Sequence, residues 1–165
     1  MSAAFDDWMK SVQAHVEEAL GAFLPQAEEV PHKLHEAMRY TTLGGGKRVR
    51  PLLVFAAGDL TGADPATLER AASAVEMIHV YSLVHDDMPC MDDDALRRGK
   101  PTVHVKYDEA TALLVGDALQ AQAFTVLAEG DAIPPARQVG MLRVLAHAAG
   151  SHGMCGGQAI DLDSV

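Results

Sequence analysis

The 165 residues carry 13 Lys and Arg against 23 Asp and Glu, a net charge of −10 with the histidines neutral. With 48% hydrophobic residues the chain can bury the core of one compact domain, and its 5% aromatic content leaves Ala and Leu to do the apolar work, which favours helices over strands. The acidic excess argues against binding to nucleic-acid backbones or anionic membrane surfaces, and two cysteines, Cys90 and Cys155, are too few for a disulfide scaffold or a zinc site.

In chain order, Phe5, Trp8, Val12, Val16 and Leu20 recur at spacings of three and four, predicting a first amphipathic helix that ends near Gly21. Asp6 and Asp7 precede the first base, Lys10, and no apolar run follows, so no signal or transit peptide is expected. Pro31 starts a second helix, which stops at the triple glycine 44–46, followed at once by Lys47, Arg48 and Arg50. Pro51 suits the start of a third helix, closed by Thr61 and Gly62. The densest apolar stretch, 52–57, is far too short to cross a bilayer, and a cytoplasmic chain without membrane insertion is expected. Asp64 and Pro65 form an N-cap and first-turn pair for a long helix running to His85. Helices over about 108–128 and 135–149 follow, and the block 153–165 opens another. No segment alternates as a half-buried strand, so the fold class is all-α.

The strongest chemical signal is the run from His85 to Pro101. Asp86, Asp87, Asp92, Asp93 and Asp94 fall within nine residues with no base among them, and Arg97 and Arg98 come three residues later. Such crowding needs solvent or cations, and Asp at a helix C-terminus opposes the macrodipole. Asp86 and Asp92 lie about 240° apart on an ideal helix, so they share a face only if Pro89 ends the helix and lets the chain turn back. Two such carboxylates without thiolate or imidazole partners suit Mg²⁺, and the arginines beside them suit a diphosphate. The plain alternative is a solvated helix end. The stretch 44–51 is a second anion-ready element, its glycine N–H groups free to point at phosphate oxygens beside Lys47 and Arg50. It lacks the spacing of a Walker A loop or a dinucleotide fingerprint.

Two phosphate sites imply two phosphorylated substrates, and here the sequence resembles the trans-isoprenyl diphosphate synthases (polyprenyl synthetases), most closely the bacterial farnesyl diphosphate synthases. The motifs are GGGKRVRP at 44–51, His79, DDMPCMD at 86–92, RRG at 97–99, GDALQAQAF at 116–124 and GGQAIDL at 156–162. The resemblance implies the isoprenoid-synthase type of helical bundle, of which residues 1–165 would be the N-terminal portion of one polyprenyl synthetase domain, with the C-terminal part absent. It implies Mg²⁺ as the cofactor, isopentenyl diphosphate and an allylic diphosphate (dimethylallyl or geranyl) as ligands, geranyl or farnesyl diphosphate as product, and a homodimer. Asp86 and Asp92 would bind the metal, supported by Asp87, and Arg97 would contact the allylic diphosphate. Lys47, Arg50, His79 and Arg98 would bind isopentenyl diphosphate, and Gln158 with Asp161 would line the cavity. Tyr81 and Ser82, five and four residues before Asp86, would set chain length, Tyr81 as a floor about 140° round the helix from Asp86 and Ser82 about 40° round. On residues alone, His79 reads as a satisfied core histidine on an apolar helix, and ordinary core with a bonded hydroxyl is the plain alternative for Tyr81.

The second aspartate-rich motif of the family, with its lysine, has no counterpart in this sequence. The chain by itself is therefore expected to be inactive or nearly so. A non-catalytic partial homologue or regulatory subunit of a prenyl synthase is the alternative.

Overall fold

The computed structural model describes residues 3–131 and 133–164. Eight helices are present among them: α1 (Ala3–Phe23), α2 (His32–Thr42), α3 (Val49–Thr61), α4 (Pro65–Asp86), α5 (Val103–Lys106), α6 (Glu109–Ala128), α7 (Pro135–Ala149) and α8 (Met154–Leu162). The all-α expectation holds, and the predicted elements appear with boundaries shifted by a few residues. The third helix begins at Val49 rather than Pro51, because Arg48, in the left-handed region at φ 48°, acts as its N-cap.

Local chemistry explains the ends. Asp64 accepts the N–H of Thr67 at 3.0 Å to start α4, with Pro65 in its first turn. Asp108 accepts the N–H of Thr111 at 2.7 Å to start α6. Gly62, at φ 63°, closes α3 in the left-handed conformation that a side chain would disfavour.

The centre of the fold is the packing of α4 against α6. Both are apolar around much of their circumference, as helices enclosed by others must be. Ala72, Ala74, Met77, Ile78, Val80, Tyr81 and Val84 of α4 are buried, as are Ala112, Val115, Leu119, Ala123 and Val126 of α6. A β-carbon on Gly116 would stand 2.0 Å from His85 Nε2, so this glycine lets the two helices approach. Helices α1 and α3 pack on α4, α2 lies against α6, and α7 connects α6 to α8.

Two features depart from the sequence reading. Helix α6 is long and apolar enough to cross a membrane on length and composition. The unbroken apolar run at 52–57 is shorter than this helix, in which Asp117, Gln120 and Gln122 interrupt the apolar character without ending it. In the fold this helix serves as core. A minimal antiparallel ladder, β1 (Leu96–Arg97) with β2 (Lys100–Pro101), also went unforeseen, being too short to show alternation. Its two-residue turn, Arg98 and Gly99, has positive φ at both positions (53° and 78°), the arrangement that matches strand twist.

Candidate active site

Helix α4 carries the site along its length. His79 and Asp86 are seven residues apart, two turns less about 20°, so they lie near one stripe and about 10.5 Å apart along the axis. Tyr81 and Ser82 fall between them.

At the C-terminal end of α4 the chain folds back as the position of Pro89 predicts. Asp92 N–H donates to the carbonyl of Asp86 at 2.8 Å, Asp93 N–H to Met88 at 3.1 Å and Asp94 N–H to Asp87 at 3.1 Å, with Asp93 at φ 54°. Burial and then the charge of Asp92 push the Asp86 carboxyl above its ordinary range. Gln158 of α8 donates to Asp86 Oδ1 at 2.8 Å, whereas Asp161 is exposed. Asp87 plays a different part from its neighbour: it is buried and takes Arg97 in a forked ion pair, Nε to Oδ1 and Oδ2 at 2.8 and 2.9 Å and Nη2 to Oδ1 at 2.6 Å. This pair, above all its hydrogen bonds, raises the pKa of Arg97. It also answers the dipole problem at the end of α4, since one aspartate is neutralised and the other is hydrogen-bonded.

Tyr81, Ser82, Asp86, Met88, Met91 and Leu113 contribute to the wall of a mostly apolar cavity of about 410 Å³, with Met154, Cys155, Gln158 and Leu162 on its α8 side. Tyr81 is buried, and its hydroxyl lies 3.6 Å from Cys155 Sγ. Burial, followed by this thiol contact, raises the phenol pKa to about 12.

A second cavity, of about 540 Å³, brings together Lys47, Arg50, His79 and Arg98. Arg98 reaches it because the left-handed turn swings it away from Arg97 and toward the glycine loop, where Nη1 donates to Gly45 O at 3.3 Å. Burial, then the charge of Arg50, lowers the pKa of His79, so it enters this cavity as a neutral imidazole at pH 7.

The glycine loop itself corrects one expectation. The N–H groups of Gly44 and Gly45 do not await a phosphate: both donate to Glu17 Oε1 of α1, at 2.6 and 3.3 Å. Arg48, in the middle of the basic motif, is likewise committed inward. It is buried, with Nη1 on Glu76 Oε1 at 2.8 Å and Nη2 on Glu17 Oε2 at 2.6 Å and on Thr42 O at 2.7 Å. Sequence reasoning missed this triad, although Glu76 among Val75, Met77 and Ile78 is a charge inside an apolar helix and called for a buried partner.

The donor chemistry fits Mg²⁺. Among the described residues no three His, Cys, Asp or Glu side chains are gathered to hold a metal by themselves, and the two oxygen donors Asp86 and Asp92 are of the type Mg²⁺ takes when water and phosphates complete its shell.

Residues 31–165 match the family model for polyprenyl synthetases. The chain belongs to the polyprenyl synthetase family. It is 49% identical over 160 residues to the farnesyl diphosphate synthase of Haemophilus influenzae, a match covering 97% of this chain and 54% of that protein. Over 152 residues it is 51% identical to large subunit 1 of the chloroplastic heterodimeric geranylgeranyl pyrophosphate synthase of Arabidopsis thaliana, covering 90% of this chain and 40% of that subunit. The crystal structure of a Zymomonas mobilis FPP/GFPP synthase superposes with a TM-score of 0.94 at 49% identity, over 99% of this chain and 59% of that one. This polyprenyl synthetase chain thus spans about half the length of the curated relatives it matches. Relatives at 49% and 51% identity are named for different products, so identity does not fix product length.

Proposed function

We propose that this chain carries the substrate-binding half of a Mg²⁺-dependent prenyltransferase that adds an allylic diphosphate, dimethylallyl or geranyl, to isopentenyl diphosphate head to tail. The observation that supports it is the pair of cavities on α4: one cationic, around His79, and one apolar, headed by Asp86. Lys47, Arg50 and Arg98 would hold isopentenyl diphosphate by charge, with neutral His79 as a hydrogen-bonding partner. Asp86 and Asp92 would hold Mg²⁺, which when bound supplies positive charge to a departing diphosphate. Arg97, held in place by Asp87, would meet the same diphosphate as charge develops on it. The walls of Met88, Met91, Leu113 and Leu162 would exclude water from the allylic cation, and Tyr81, beside Ser82, would close the cavity at the length of a short isoprenoid tail.

Only one compact acidic cluster, 86–94, is present in these residues. The resemblance implies a second carboxylate cluster for turnover, which these residues do not carry. Working as a cytoplasmic homodimer, the chain would bind both diphosphates, with bond formation requiring that second cluster. The test is to incubate the 165-residue chain with isopentenyl diphosphate, geranyl diphosphate and Mg²⁺ and analyse the products by mass spectrometry. The expected result is binding without farnesyl diphosphate; product formed at an ordinary synthase rate refutes the incompleteness, and no binding of either diphosphate refutes the assignment.

A further inference from the structure

Helix α1 precedes the residues that match the family model, within the span aligned to the relatives, and it grips the cationic loop at four points. Gln13 and Glu17, at i and i+4, share one face and are half-buried. Gln13 Nε2 donates to the carbonyl of Lys47 at 2.9 Å. Glu17 accepts from the N–H groups of Gly44 and Gly45 through one oxygen and from Arg48 through the other.

The loop needs such anchors. Gly44, Gly45 and Gly46 stand at φ 102°, 92° and 138° and Arg48 at 48°, a path with no ladder of its own. Glycine gains the most freedom when released, so an unheld loop would have to be ordered at the moment of binding, which weakens affinity. Lys47 and Arg50 flank Arg48 and are exposed, so what fixes Gly44, Gly45, the Lys47 carbonyl and Arg48 also fixes where those two cations stand in the 540 Å³ cavity.

The negative charge of Glu17 does not spoil the pocket. Arg48 sits between Glu17 and Glu76, a triad with a net charge of −1 whose Glu76 also lines the cavity, so the three cations Lys47, Arg50 and Arg98 still leave a positive excess to face an anion. The carboxylate takes amide positions that a phosphate could have used and in exchange fixes side chains of higher charge.

We propose that Gln13 and Glu17 of α1 are positioning residues for the isopentenyl diphosphate pocket, clamping the 44–48 loop so that Lys47 and Arg50 are preset for a diphosphate. This rests on the proposed reading of that pocket. The experiment is isothermal titration of the full chain with isopentenyl diphosphate, and separately with geranyl diphosphate and Mg²⁺, for wild type, Gln13→Ala, Glu17→Ala and Lys47→Ala. Amide hydrogen exchange at Gly44 and Gly45 is read alongside. Glu17→Ala is expected to weaken isopentenyl diphosphate by about tenfold, Gln13→Ala by about threefold, and both to leave geranyl diphosphate unchanged. The Gly44 and Gly45 amides exchange faster in Glu17→Ala.

Equal losses for both ligands, or unchanged affinity with fast-exchanging amides, overturn the clamp, since a general loss of structure moves both arms and an idle contact moves neither. Unchanged isopentenyl diphosphate affinity in Lys47→Ala instead overturns the pocket reading and the clamp with it. Should Glu17→Ala fail to fold, Gln13→Ala carries the test, because it removes one hydrogen bond at a half-exposed position.

Discussion

Replacing Arg48 by Met tests the element that joins α1, the glycine loop and α4. The aliphatic stem is kept and the guanidinium lost, leaving Glu76, whose side chain is 3% exposed, as an uncompensated buried charge. Breaking a buried pair in this way costs about 3–5 kcal/mol. The second pair adds little, because Glu17 is 33% exposed and its interaction with Arg48 is screened by solvent. The carbonyl of Thr42 also loses its donor at 2.7 Å, roughly another 1 kcal/mol. The total, about 4–6 kcal/mol, converts at about 2–4 °C per kcal/mol for a chain of this size into a fall in Tm of roughly 8–24 °C. Thermal unfolding followed by far-ultraviolet circular dichroism measures it. Adding Glu76→Gln should restore part of the loss, because the two changes share one interaction and cannot be additive. A loss under about 1 kcal/mol, or additive behaviour in the double variant, would refute the claim that a buried triad holds the loop.

Three further outcomes follow from named contacts. Burial pushes the Glu17 carboxyl up, but Arg48 and the Gly44 and Gly45 amides outweigh it and hold the group below its ordinary 4.5. Such a group stabilises the fold fully above pH 4.5 and progressively less as pH falls through its lowered value, so Glu17→Gln should flatten the acid limb of the stability curve below pH 4.5; an unchanged limb counts against the ion pair. Gly116→Ala puts a β-carbon 2.0 Å from His85 Nε2, which sits 3.1 Å from the carbonyl of Leu113, and is expected to cost about 1–3 kcal/mol in urea unfolding, where a neutral result would mean that α4 and α6 are not so close. Tyr81→Ala should deepen the 410 Å³ cavity and move the binding preference, measured with Mg²⁺ by calorimetry, from geranyl toward geranylgeranyl diphosphate; an unchanged order of affinities removes Tyr81 as the floor.

The sequence was legible where one residue type had one physical use. Asp64 with Pro65 marked the start of α4, Gly62 the end of α3, and Pro89 the turn that brings the Asp92 backbone onto Asp86. Lys47, Arg50, His79 and Arg98 lie around one cavity because helix phase and a glycine loop restrict where they can go. What escaped was pairing between residues far apart in the chain. Arg48 is one base among three in a basic run, and nothing local distinguishes the one that turns inward to meet Glu17 and Glu76. Asp87 likewise was one aspartate of five, and only the ladder of Arg97 with Lys100 orients its partner. The glycine amides read as a phosphate cradle because a carboxylate 27 residues earlier could not be seen to occupy them.

In the proposed function two diphosphates bind at two chemically different sites, one through a metal on Asp86 and Asp92 and one through Lys47, Arg50 and Arg98. Calorimetric titration of geranyl diphosphate and of isopentenyl diphosphate, each in Mg²⁺ and in EDTA, with Asp92→Asn as control, tests it most directly. Geranyl diphosphate binding is expected to vanish in EDTA and in Asp92→Asn while isopentenyl diphosphate binding persists in both. Metal-independent binding of geranyl diphosphate, or equal loss of both ligands in EDTA, would contradict it.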